Sequence, residues 1–117
     1  MKKMVITVKG FPADYPNLRK VYQRLSAAVF DKAARIDQNA VEVLLDADLV
    51  PETAGRNIFA AFEPYGKFYL GIAECGALVA KLGEQIKMMC PESYVFVKIK
   101  TDNGKEIYWD SVDGIQF

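Results

Sequence analysis

Residues 94–110 read YVFVKIKTDNGKEIYWD, in which two runs of alternating apolar and polar residues flank an Asp-Asn-Gly turn sequence. This pattern predicts a β-hairpin. A two-residue loop would place Lys98 opposite Trp109, mixing charge with apolar groups. A three-residue loop, with Gly104 left-handed in a bulge, places Val97 opposite Trp109 instead. Because a slip of one residue exchanges the two faces of a strand, we predict the three-residue loop, which keeps the apolar side chains together.

In this register the hairpin has one apolar face and one face that mixes aromatic with charged residues. Aromatic side chains ringed by polar groups are typical of interfaces and ligand pockets. The alternative is that a loop, a short helix or the chain end, residues 114–117, folds over this second face. The candidate interface or ligand-binding residues are four on the hairpin and two tyrosines before it: Tyr94, Phe96, Lys98, Tyr108, Tyr65 and Tyr69.

The rest of the chain alternates between strand and helix patterns. A period of two residues predicts strands, and apolar residues spaced by three and four predict amphipathic helices. Prolines mark several helix boundaries. The predicted order is a strand at 3–9, a helix from 14 to 36, a strand at 41–49, a short helix from 51 that ends before Pro64, a strand at 67–73, a helix from 75 to 89, and the hairpin.

This order predicts an α+β fold, with two long helices packed on one face of a mostly antiparallel sheet. The topology that we expect is a ferredoxin-like variant with an inserted short helix and a C-terminal β-hairpin. A length of 117 residues suits one domain, and we expect residues 1–117 to form it without an internal linker.

Composition excludes several classes of function. Fifteen Lys and Arg balance fifteen Asp and Glu, which argues against a generic polyanion binder. The chain has no histidine, so Ser-His-Asp and Cys-His nucleophile systems and histidine-containing metal sites are excluded. No phosphate loop or dinucleotide fingerprint occurs either. We therefore expect no cofactor and no metal site.

The two cysteines, Cys75 and Cys90, are too few for a secreted disulfide framework. On one helix their sulfur atoms would lie about 20 Å apart, too far for a bridge. No signal peptide and no membrane span is recognisable. These features predict free thiols, a cytoplasmic location and no membrane partner.

Four residues are candidates for catalytic chemistry. Cys75 lies at a predicted helix N-terminus, which can lower a thiol pKa, although the neighbouring Glu74 opposes this effect. Asp46 and Asp48 project side by side from one strand, as a shared cation or an acid-base pair would require. The alternative is a solvated strand face whose charges protect a sheet edge. Asp110 is a further acid-base candidate.

The net charge of the whole chain is zero, but a basic stretch is followed by an acidic one. Residues 37–63 carry six acidic side chains against Arg56 alone. The basic stretch could dock an acidic protein partner or pair subunits head to tail, whereas an ordinary charged helix exterior needs no partner. The cations on the predicted first helix are Arg19, Lys20, Arg24, Lys32 and Arg35.

Two segments resemble parts of RNA-recognition-motif domains. Residues 49–53 (LVPET) and 62–66 (FEPYG) are similar to their first strand-to-helix stretch, and residues 94–99 (YVFVKI) to their aromatic strand. The resemblance implies single-stranded RNA binding through the aromatic strand. The chain departs from the pattern where Glu42 takes a stacking position, and where a hairpin replaces a helix. We regard the likeness as convergence, and a nucleic-acid partner is disfavoured.

Together these observations favour a non-catalytic binding or interaction module that self-associates through the aromatic sheet face. A homo-oligomer is the expected state, with a dimer as the first choice. The alternative is a histidine-free small-molecule-binding protein or small enzyme, with a cleft built from carboxylates and tyrosines. A weaker alternative is single-stranded RNA binding.

Overall fold

The computed structural model describes residues 3–29, 40–48, 53–65, 70–101 and 103–116, with the backbone alone at 64 and 65. These residues form six strands and two helices. In chain order the elements are β1 (Lys3–Pro12), α1 (Leu18–Ala28), β2 (Val41–Asp48), β3 (Asn57–Tyr65), α2 (Ile72–Met89), β4 (Tyr94–Lys100), β5 (Glu106–Asp110) and β6 (Gly114–Gln116).

The six strands form one mixed sheet in the order β2-β1-β3-β4-β5-β6. β1 and β2 are parallel neighbours, and so are β3 and β4. β1 pairs antiparallel with β3, which joins the two parallel pairs at the centre of the sheet. β5 and β6 continue the sheet beyond β4 in antiparallel pairing. The described chain therefore contains two consecutive strand-helix-strand units, and β5 and β6 extend the second unit, β5 through a hairpin with β4 and β6 as a short edge strand.

The predicted α+β class, with helices on one face of the sheet, is confirmed. The sheet order differs from the ferredoxin-like arrangement that we expected. In that arrangement the strand-helix-strand unit is split, so that another strand lies between its two parallel strands. Here the parallel strands of each unit are direct neighbours. The difference lies in the pairing of the strands and not in the order of the elements along the chain, because β1 to β4 with their two helices follow one another as in the expected arrangement.

The inserted short helix predicted from residue 51 is wrong for the described residues, because residues 57–65 form β3. Ile58, Ala60 and Phe62 are buried, while Phe59 and Ala61 between them are exposed and half-buried, respectively. This alternation is a strand pattern, but the spacing of the apolar residues also fits a helix edge. Pairing with β1 on one side and β4 on the other decides for the strand.

The strand predicted at 67–73 is not found in its described part. Leu70 and Gly71 are not in a strand, and α2 already begins at Ile72. Residues 66–69 lie outside the described residues. The strand-to-helix stretch that the resemblance to RNA-recognition motifs implied is not found either, since β3 occupies most of its second half.

The hairpin adopts the register predicted from its alternation. Val97 pairs with Trp109, and Gly104 has a φ of 88°. Residues 114–116, the described part of the chain end, do not fold over the aromatic side. Instead β6 extends the sheet, and Ile115 pairs with Trp109. The apolar side of the hairpin thus faces the helices, as expected.

Both helices pack on the same face of the sheet, which we call the inner face. α1 starts at Leu18, later than predicted, with Asn17 as its N-cap residue. α2 ends at Met89, before Pro91, as predicted. The inner-face side chains and the buried side of α2 form one core, whose largest fully buried members include Phe11, Met4, Ile6, Leu25, Ile58, Leu78, Leu82, Ile86, Ile99 and Ile107.

Candidate functional site on the outer face of the sheet

The outer face of the sheet, opposite the helices, carries large apolar side chains that are partly exposed. Side chains alternate across a strand, so burial of Ile58, Ala60 and Phe62 turns Phe59 outwards. Phe59 keeps 48% of its surface exposed, and Leu44 on β2 keeps 47%. Exposed aromatic groups on a sheet face are a typical signal of an interaction site.

Three aromatic rings form a continuous ridge across β3, β4 and β5, and we call Phe59, Phe96 and Tyr108 the aromatic ridge. The ring centroids of Phe59 and Phe96 lie 6.2 Å apart at 62°, an edge-to-face arrangement. Those of Phe96 and Tyr108 lie 5.6 Å apart. These contacts hold the rings against one another, so the ridge presents an ordered apolar surface.

A shallow groove of about 400 Å³ lies beside the aromatic ridge. Its lining includes the small side chains of Thr7 and Ala61 and the rings of Phe59 and Phe96. Lys98 lines this groove and also a neighbouring depression that Lys100, Glu63 and Glu106 help to line. The lining of the groove therefore combines aromatic and small side chains with charged ones.

Leu44 forms a second apolar patch at the edge strand β2, between two acidic residues. Glu42 and Asp46 lie two positions before and after it, on the same side of the strand. Lys3 forms an ion pair with Glu42, and Lys9 is the strand partner of Asp46. We call Glu42, Leu44 and Asp46 the leucine patch.

The structure brings together several of the interface residues predicted from the sequence. Tyr94, Phe96 and Lys98 lie on the outer side of β4, and Tyr108 pairs with Lys98. Burial, together with the nearby carboxylates of Asp110 and Asp113, raises the pKa of Tyr94 above its ordinary value. Tyr65 ends β3 but its side chain is not described, and Tyr69 lies outside the described residues.

Sequence reasoning missed Phe59 and Leu44 as parts of this surface. The short helix predicted from residue 51 includes Phe59, and the strand predicted at 41–49 includes Leu44, but neither residue is a predicted site. For Phe59 a usable signal was present. Residues 58–62 form a continuous apolar run, IFAAF, which fits a buried strand as well as a helix, and reading it as a strand would have placed Phe59 on the face opposite Ile58, Ala60 and Phe62.

The structure does not gather the four catalytic candidates at one place. Cys75 is fully buried, with its Sγ 4.0 Å from the carbonyl oxygen of Leu70. Asp46 and Asp48 lie on β2, and Asp110 lies on β5 four strands away, about 19 Å at the usual strand spacing. Within the described residues, no three acidic or cysteine side chains are grouped so that they could hold a metal ion.

The cations of the predicted basic helix are partly described. Arg19, Lys20 and Arg24 lie on the exposed side of α1, whereas Lys32 and Arg35 fall outside the described residues. The Nε of Arg24 donates to Gln85 on α2 at 2.6 Å, which links the two helices. None of the helices in the described ranges is long and apolar enough to span a membrane.

Asp110 is buried, and its carboxylate accepts hydrogen bonds from the backbone of the tight turn between β5 and β6. Its Oδ1 accepts hydrogen bonds from the backbone N–H groups of Val112 at 2.8 Å and Asp113 at 2.7 Å. Its Oδ2 accepts one from Nε2 of Gln116 at 3.3 Å. This arrangement orients the chain so that β6 can pair with β5.

We expect Asp110→Ala to lower the free energy of unfolding by about 2 kcal/mol, because two backbone donors lose a charged acceptor. The exposed Asp113 is the matched control, and Asp113→Ala should change stability by less than about 0.5 kcal/mol. Urea unfolding followed by Trp109 fluorescence measures both. Equal effects of the two substitutions would show that the carboxylate of Asp110 does not hold the turn.

Comparison with known proteins adds a likeness of fold. No protein-family model matches the sequence, and no curated protein matches it either. Among solved structures, one is named "F6 fused 4-OT wild type asymmetric trimer". A chain of that structure aligns with this protein with a TM-score of 0.51 and 22% sequence identity. The alignment covers 86% of this chain and 89% of that one. The two chains share a fold.

Proposed function

We propose that this chain is an interaction module that self-associates through the outer face of its sheet. The observation that carries the proposal is the aromatic ridge, an ordered apolar surface on the face that the two helices leave uncovered. Covering such a surface lowers the free energy of the chain in water, by about 25 cal/mol for each Å² of apolar area removed from the solvent. A second copy of the chain offers a surface of matching size.

We further propose that the assembly is a trimer, in place of the dimer that the sequence favoured. Support comes from the structure that shares this fold over most of both chains, which is named a trimer. Lysines and carboxylates surround the aromatic ridge, as is usual where an apolar interface core has a polar rim. Such an interface allows the free chain to remain dissolved before it assembles.

The substitution Phe96→Lys tests the proposal. It places a charge in the centre of the aromatic ridge, and we expect the self-association constant to fall at least tenfold, so that monomers predominate. Asp110 is the strand partner of Phe96, so the new cation gains a carboxylate neighbour within its own chain. Sedimentation equilibrium of the full chain over a wide concentration range measures the effect.

Met88→Lys is the matched control on the helix layer. Met88 lies in the last turn of α2 with 65% of its surface exposed, and its Sδ is 3.8 Å from Nη2 of Arg24. A lysine is favourable at that end of a helix, and its long side chain can extend into solvent away from the guanidinium. This variant should assemble like the unmodified chain. If the unmodified chain stays monomeric at millimolar concentration, or if Phe96→Lys assembles as well as Met88→Lys, self-association through this face is refuted.

A further inference from the structure

A groove of about 450 Å³ lies in the helix layer, between α1, the turn before it and the end of α2. Val21 and Met89, both buried, contribute apolar surface to its lining, and the half-buried side chain of Tyr15 adds an aromatic ring. Sites for small molecules have volumes of about 300–1,000 Å³ and are mostly apolar. The size of this groove and these three side chains therefore fit a small organic molecule.

The charged residues that line this groove are both positive. Lys20 and Arg24 are four positions apart on α1, and both are exposed. Side chains at this spacing are neighbours on a helix surface, with Cβ atoms about 6 Å apart. Four other grooves in the described part of the chain each have lysine and glutamate together in their lining. The groove beside α1 differs from them because its cations have no carboxylate in the same lining.

Carboxylates near this groove leave the two cations unpaired. α1 itself contains no acidic residue. Asp14 precedes α1, while Glu84 lies on α2 and Glu92 follows it, but none of the three forms an ion pair with Lys20 or Arg24. Like charges at this spacing on a helix repel each other. An anion bound beside both cations would remove this repulsion.

Arg24 is held by neutral partners. Its Nε donates a hydrogen bond to Oε1 of Gln85 at 2.6 Å, and its Nη2 lies 3.8 Å from Sδ of Met88. A guanidinium group has five N–H donors, so several donors of Arg24 remain for a ligand. Because these contacts orient the guanidinium in advance, less conformational entropy is lost when a ligand binds. Gln23 and Tyr15 add further hydrogen-bonding groups to the lining.

We propose that this groove binds a small phosphate monoester whose organic part is apolar or aromatic. A phosphate monoester carries up to two negative charges, with a second pKa of about 6, and three strongly accepting oxygen atoms. Its charge matches the two cations, whereas a carboxylate would leave one of them uncompensated. The forked donors of Arg24 suit a phosphate group, and Tyr15, Val21 and Met89 would contact the organic part. This inference concerns the helix layer and does not depend on the proposed self-association.

The first test titrates the full chain with phenyl phosphate and follows binding by ¹H–¹⁵N NMR. We expect saturable shifts of the backbone amide signals around Tyr15, Val21 and Met89, and none on the aromatic ridge. Inorganic phosphate lacks the apolar part and benzoate carries one charge, so each should bind at least about tenfold more weakly. The absence of saturable shifts up to about 10 mM phenyl phosphate, or equal binding of the three compounds, would overturn the proposal.

Lys20→Gln is the decisive variant. The Lys20 side chain makes no hydrogen bond or ion pair within the described residues, so we expect the fold to be retained, and circular dichroism confirms it. The affinity for phenyl phosphate should fall at least about tenfold, because the phosphate loses one of its two cationic partners. Arg24→Gln should cause a loss of similar size.

Lys81→Gln is the matched control. Lys81 is exposed on α2 and lines a different groove together with Glu84. This substitution removes the same charge from the chain but no group from the proposed site, so the affinity should stay within about twofold of the unmodified chain in 0.15 M salt. If Lys20→Gln binds phenyl phosphate as tightly as Lys81→Gln does, the groove is not the binding site. Self-association of Lys20→Gln should be unchanged, so the two proposals stand or fall separately.

Discussion

Replacing Gly10 by alanine is expected to destabilise the protein by about 4 kcal/mol, the sum of a strained backbone and an overlap that cannot relax. Gly10 has a φ of 85°, in the left-handed region that L-amino acids rarely adopt. A Cβ atom at this position would overlap the backbone carbonyl of Asn57, where β3 begins. The carbonyl of Gly10 also accepts a hydrogen bond from the N–H of Gly55 at 3.1 Å.

Gly10 lies where β1 passes close to the start of β3, and this close approach leaves no room for a side chain. The pairing of β1 with β2 shifts register between Lys9 and Pro12, which is the signature of a bulge. The bulge brings the β1 backbone close to the turn that leads into β3. A change that pushes these segments apart would disturb the start of β3, and Phe59 lies two residues into that strand.

Gly104→Ala is the matched control for this prediction. Gly104 has a similar φ of 88°, but no atom lies within 4 Å of the place that a Cβ would take. Only backbone strain remains, so we expect a loss of about 1 kcal/mol. Urea unfolding followed by Trp109 fluorescence gives the loss of stability of each variant. The difference between the two losses is the cost of the overlap with Asn57, without the backbone strain. A loss at Gly10 no larger than that at Gly104 would contradict the close approach of β1 to Asn57.

Replacing Gly83 by alanine is expected to destabilise the protein by about 3 kcal/mol, against the direction that helix propensity predicts, because the added methyl group overpacks the core. Alanine is better than glycine inside a helix by about 1 kcal/mol. Gly83 is buried on α2, however, and a Cβ there would overlap the six-membered ring of Trp109 on β5. Moving α2 or the indole out of a close-packed core costs more than the gain in propensity.

A double-mutant cycle with Trp109→Leu tests this explanation. With the smaller side chain on β5 the overlap disappears, and Gly83→Ala should become neutral or stabilising. Thermal unfolding followed by circular dichroism gives the four stabilities without depending on tryptophan fluorescence. If Gly83→Ala is as harmful in the Trp109→Leu background as in the unmodified chain, the contact between α2 and the indole does not account for the glycine.

The contact between Gly83 and Trp109 also bears on the proposed interface. Trp109 occupies the inner side of β5, and its neighbour Tyr108 therefore lies on the outer side. Because Gly83 has no side chain, the indole of Trp109 packs directly against the backbone of α2, and this keeps β5 close to α2. The orientation of the aromatic ridge thus depends on the packing of the opposite face, so a core substitution at Gly83 should also weaken self-association.

Local patterns sufficed for the elements whose residues repeat with one clear period. The hairpin register was predictable because one register of the two pairs Val97 with Trp109 and separates charge from apolar groups. That register also placed Phe96, Lys98 and Tyr108 on the outer face. α2 was predictable because its apolar positions recur at helical spacing and Pro91 prevents continuation.

The central strand and the full interaction surface depended on contacts between residues distant in sequence. Residues 57–65 fit a helix edge or a strand, and only pairing with β1 and β4 distinguishes the two. With β3 in place, Phe59 joins the aromatic ridge and Leu44 shares its face across β1. The sequence by itself determined the class of fold, the hairpin register and the second helix, because neighbouring residues carry those periodic signals. The tertiary structure alone decided the strand order and the two patches, because hydrogen bonds between remote segments select among conformations that are locally equivalent.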